Sequence, residues 1–121
     1  MATAFDASTL EMLRTADEIR IRTRKHKGQG VIIWIVTVGE QAFIRSFRGA
    51  SAKWYVDAVA DGQATLEVGD QQIPVRLTSV ADAATVEAVS QAYLGKYASS
   101  PYAKAMVAPE VLPTTVHVDP M

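Results

Sequence analysis

Hydrophobic and polar residues alternate strictly over residues 18–24, where Ile19, Ile21 and Thr23 are interleaved with Arg20, Arg22 and Arg24. A period of two predicts a half-exposed strand. Residues 31–38, Val-Ile-Ile-Trp-Ile-Val-Thr-Val, are apolar on both faces, which predicts a central strand. The turn at 26–30 precedes it, and Gly39-Glu40 follows it. So short a loop cannot make a parallel crossover, so residues 41–48 should return antiparallel. Residues 63–68 and 72–78 form two further strands joined at Gly69-Asp70, with Pro74 marking an edge position or a bulge. Alternation returns over 114–118 as a last strand.

Helical spacing occupies the rest. Leu10 and Leu13 predict a helix over 10–16, with Ser8 and Glu11 at capping-box spacing. Trp54, Tyr55, Ala58 and Val59 predict a short helix over 52–60. Val86, Val89, Tyr93, Leu94 and Tyr97 recur at helical steps, making 82–98 the main amphipathic helix. Ser100-Pro101 starts a second, short helix over 102–107, which Pro109 ends. Taken together these elements predict a mainly β fold with α: a small antiparallel barrel of about six strands with flanking helices.

Composition narrows the function. With 121 residues and 49% hydrophobic content, residues 1–121 read as one domain, in which any ligand site is shallow or shared between subunits. The chain has no cysteine, which excludes disulfides, thiolate nucleophiles and iron–sulfur clusters. The apolar run 31–38 is far shorter than the roughly 20 residues that cross a bilayer. No basic stretch precedes an apolar one at the start, so no signal peptide is expected, and a cytoplasmic protein without membrane contact is.

The net charge of −1 conceals an asymmetry. Between Arg14 and Lys53 lie nine basic and three acidic residues, against three basic and seven acidic over 61–121. A local positive field suits a phosphorylated molecule, a nucleotide cofactor or a nucleic acid, although any single arginine is better explained as a solvated strand face. Against nucleic acid, residues 14–30 contain no aromatic to stack on bases. Gly49 and Ser51 lie in a loop that opens a helix at Ala52, presenting free N–H groups and a positive dipole end. Arg45, Arg48 and Lys53 add charge beside them. Trp34 reads as core, while Trp54 reads as core or as a ring platform. Tyr93, Tyr97 and Tyr102 read as packing over the barrel. His26 and His117 have no carboxylate or cysteine at ligand spacing, so no metal site is expected. No Ser-His-Asp or paired-carboxylate pattern is present.

The run 31–36 followed by Phe43-Ile-Arg-Ser-Phe-Arg-Gly-Ala, Lys53-Trp54-Tyr55 and Gln63-Ala-Thr-Leu-Glu-Val-Gly resembles the split β-barrel family that binds flavin mononucleotide or deazaflavin coenzymes. That family includes pyridoxamine-phosphate-oxidase-like proteins and deazaflavin-dependent nitroreductases. The chain looks like a small bacterial branch of it that carries a domain-of-unknown-function label. The resemblance implies that Arg24-Lys25 and Arg48-Gly49 hold the cofactor phosphate and that Trp54 is the family's tryptophan. Arg45, Ser46, Ser51 and Lys53 complete the expected cofactor set. It also implies a homodimeric oxidoreductase, with the ring at the subunit interface and hydride passing to a small molecule. Such a site asks the protein mainly for position and charge. Two alternatives stand beside this: a barrel of the same descent that binds a ligand without turnover or has lost its site, and, less favoured, a nucleic-acid-binding barrel.

Overall fold

The computed structural model describes residues 4–25 and 28–121. His26, Lys27 and the part of the expected 26–30 turn that they form lie outside the described residues. In chain order the elements are α1 (Ala7–Thr15), β1 (Ile19–Arg22), β2 (Val31–Ile33), β3 (Ile35–Val38), β4 (Gln41–Ile44), α2 (Lys53–Asp61), β5 (Gln63–Val68), β6 (Gln71–Ser79), α3 (Ala83–Lys96) and β7 (Val116–Pro120). Between α3 and β7, 3-10 turns cover Ala103–Val107 and Leu112–Thr114. The helix expected over 102–107 takes this tighter form. Among the described residues no helix is long and apolar enough to cross a membrane.

All seven strands form one antiparallel sheet in the order β2-β1-β5-β6-β7-β4-β3. The expected central strand over 31–38 is corrected here. It breaks at Trp34 into β2, which pairs with β1 at one margin, and β3, which pairs with β4 at the other. One continuous segment therefore joins the two ends of the sheet and curls it into a nearly closed split barrel. This break also raises the strand number from about six to seven.

The segment is apolar on both faces because two separate cores flank it. Ile33 and Ile35 point into the barrel, where they pack with Ile19, Ile21, Ile44 and Leu66, capped by Leu13 of α1 and Ala58 of α2. Val36 and Phe43 face outward beneath α3 and meet Val89, Tyr93 and Tyr97. Only Val31 and Ile32 remain open, at 37% and 49% exposure.

Helix starts follow local chemistry. Asp6, rather than Ser8, caps α1 by accepting from the Thr9 N–H at 2.8 Å. Asp82 caps α3 through the Thr85 N–H at 2.9 Å. At the start of α2 Ala52 supplies no side-chain cap. Pro74 stands opposite Thr65 of β5, one residue beyond the β7 ladder that begins at Val75, so the edge-type position expected for it is met locally. The strand expected over 41–48 ends at Ile44, and residues from Arg45 onward leave the ladder.

Candidate functional site

The segment leaving β4 turns at Gly49, whose φ of +84° is a left-handed conformation that favours glycine, and runs into α2. With the outer side of β2 and the Tyr102 turn it bounds an open cavity of about 960 Å³. Exposed apolar side chains shape this cavity: Ile32, Val31, Phe47 at 50% exposure and Tyr102 at 60%. Phe47 and Tyr102 meet edge to face at 6.1 Å. Trp54, in the first turn of α2, contributes a half-buried indole.

Four of the residues lining the cavity are basic (Arg20, Arg45, Arg48 and Lys53) and none is acidic. Arg48 and Ser51 are exposed on the loop before α2, and Lys53 begins the helix, its ammonium 3.2 Å from Asp57. These three and Trp54 therefore meet as the sequence suggests.

Other expected members of the cofactor set are placed differently. Arg45 is buried to 1% exposure and makes four hydrogen bonds: to Thr115 Oγ1 at 2.8 Å, Ser90 Oγ at 3.0 Å, the Met106 carbonyl at 2.8 Å and the Val86 carbonyl at 2.9 Å. It ties the cavity wall to α3 and to the approach to β7, and desolvation lowers its pKa. Ser46 is fully buried with its N–H on Thr114 Oγ1, and it does not line the cavity. Arg24 and Lys25 line a separate depression of about 460 Å³ with Asp57 and Asp61. There the Arg24 guanidinium forks onto Asp61 at 2.9 and 2.8 Å.

Trp34, expected in the core, is half-buried at the strand break and also lines the cavity. Its ring stacks on Tyr97 at 3.9 Å and 6°, and its carbonyl accepts from the Tyr93 hydroxyl at 2.9 Å. Burial raises the pKa of both tyrosines, so both stay protonated donors. Tyr102 does not pack over the barrel as expected but stands open at the cavity rim.

Sequence reasoning missed Arg20 and Phe47 as cavity residues. Arg20 belongs to an alternating run that looks uniform, and only its cross-strand register with Ile32 brings it to the cavity. Of the other arginines in that run, Arg22 binds Glu67 at 2.9 Å, so most of the positive strand face is ion-paired. His117 sits half-buried on β7, 3.3 Å from Asp119. Among the described residues no group of three or more His, Cys, Asp or Glu could hold a metal ion.

The arrangement can hold an anion beside a flat apolar surface, and known proteins offer comparisons for it. Residues 9–118 match a family model described as an uncharacterized protein conserved in bacteria (DUF2255). No curated protein matches the chain. Among solved structures, a Listeria innocua protein described as a candidate pyridoxamine 5'-phosphate oxidase superposes with a TM-score of 0.61 at 10% identity, covering 94% of this chain and 90% of that one. The conserved hypothetical protein Rv2991 from Mycobacterium tuberculosis gives 0.63 at 12% identity, covering 100% and 83%. At such identities the likeness is one of fold.

Proposed function

The chain belongs to the DUF2255 family of bacterial proteins, and from that premise we propose that it binds flavin mononucleotide or a deazaflavin coenzyme in the 960 Å³ cavity and acts as an oxidoreductase on a small molecule. One observation carries this reading: a cavity with aromatic and apolar walls is lined by four basic residues and no acidic one. A phosphorylated planar ligand answers both halves of that description. The fold shared with a candidate pyridoxamine 5'-phosphate oxidase supports it.

The donor set suits a phosphate. Arg48, Ser51 and Lys53 surround the start of α2, and the amides there have no side-chain cap competing for them. Trp54 in the same turn offers an apolar face to a ring, and Val31 and Ile32 add apolar lining to the cavity. Arg45 in the cavity wall keeps the potential near the α2 start positive, which favours a ligand that carries or gains negative charge. The coenzyme, when bound, supplies the hydride chemistry, and this chain supplies position and charge. Exposure of Val31, Ile32, Phe47 and Tyr102 around the opening supports a homodimer whose second copy covers them.

Visible absorbance of the purified protein, followed by titration with flavin mononucleotide, tests the reading. Arg48→Ala should weaken binding by about 1.5–3 kcal/mol, roughly one to two decades, because it removes a charged partner of the phosphate. Equal affinities for wild type and variant would overturn the assignment. A second reading, ligand binding without turnover, draws on the separation of Arg24 and Lys25 from the cavity, since these are two of the five basic residues in the expected set. A colourless protein that binds a phosphorylated ligand yet reduces no acceptor would favour it.

A further inference from the structure

We infer that the cavity recognises a second anionic group at Arg20, apart from the Arg48–Ser51–Lys53 position, and that the small molecule it receives there is an organic carboxylate; this rests on the cavity being the ligand site proposed above. The observation behind it is a contrast within one strand. Arg22 and Arg24 are each engaged by a carboxylate, Glu67 at 2.9 Å and Asp61 at 2.8 Å. Arg20 is engaged by a neutral group instead, the Gly30 carbonyl, which accepts from Nη1 at 2.9 Å. Glu67, its cross-strand neighbour in β5, gives Oε2 to Arg22. Among the described residues Arg20 makes no ion pair within 4.0 Å, and it lines the cavity as well as the adjoining depression that Glu18, Glu67 and Asp70 share.

Gly30 makes this arrangement possible. A Cβ there would meet Glu67 Oε1 at 2.9 Å and both Arg20 Cβ and the Ile21 carbonyl at 3.0 Å, so only glycine brings its own carbonyl close enough to orient the guanidinium. The remaining N–H groups of the planar fork are those that match a carboxylate. Beside them on β2 lie Ile32, directly across the ladder from Arg20, and Val31, a half-open apolar shelf for the carbon skeleton of the same molecule. The phosphate position is built from other elements, the loop after β4 and the first turn of α2, so one anion at each position leaves neither cation group unanswered.

Calorimetric titration of the full chain, as purified and after loading with flavin mononucleotide, tests this with 4-nitrobenzoate and its neutral isostere 4-nitrobenzamide. Wild type should bind the carboxylate about tenfold more tightly than the amide. Arg20→Gln should abolish that preference and leave flavin mononucleotide affinity unchanged, and Arg20→Lys should restore part of the preference. Three results would overturn the inference: no preference or no binding in wild type, a preference that survives Arg20→Gln, or a parallel loss of flavin mononucleotide affinity in Arg20→Gln. Absence of flavin binding together with an Arg20-dependent preference would overturn the flavin reading alone.

Discussion

Arg45 and Arg48 lie three residues apart and have opposite fates. Arg45 is fully buried, its donors given to Thr115, Ser90, Met106 and Val86, whereas Arg48 is exposed on the cavity rim. Arg45→Met should destabilise the fold by about 2–4 kcal/mol in urea denaturation, because buried carbonyls lose their partner. Arg48→Ala should change stability by about 0.5 kcal/mol or less while weakening ligand binding. The sequence made Gly49, Ser51, Lys53 and Trp54 legible as a group, since a turn, a helix start and a charge are local features. It could not separate Arg45 from them. The groups that bury Arg45 come from α3 and from the segments on either side of Leu112–Thr114, far along the chain. Arg20 was hidden for a similar reason: alternation assigns a face of a strand but not the neighbour across the ladder.

At the level of elements, α3 is fastened to the barrel by its last turn. Lys96 Nζ donates to the Ile35 carbonyl of β3 at 2.7 Å and to the Leu13 carbonyl of α1 at 3.1 Å. Desolvation moves its pKa from 10.5 down to about 8, with Asp17 opposing the shift. A lowered lysine pKa means that the unfolded chain binds the proton more strongly between those two values. Stability should therefore rise with pH from about 8 to 10.5, and below 8 the full cost of the buried charge is present. Thermal unfolding of wild type and Lys96→Met across that range checks this: the wild type should gain on the variant as pH rises, and parallel curves would refute it. The strands and helices themselves were largely legible, because each has its own period. The break at Trp34 was not, since apolar residues on both faces of 31–38 are equally consistent with a central strand and with a segment lying between an inner and an outer core.

For the whole molecule, tight turns and short alternating segments were enough to indicate an antiparallel barrel. The strand order was out of reach, because β1 with β5 and β4 with β7 pair across long stretches of chain. The open apolar rim makes a further prediction. Sedimentation at micromolar concentration should give a dimer for wild type and a monomer for Ile32→Lys, which places a charge on the exposed strand β2. A wild-type monomer would refute the shared site. Closure by residues 31–38 also bears on how the protein behaves when crowded. Among the described residues each margin of the sheet is a strand of only three or four residues, β2 and β3, so the row of unpaired amide and carbonyl groups offered to strands of neighbouring molecules is short. Lengthening either strand at Trp34 should extend that row, turning a discrete particle into one prone to fibrillar self-association.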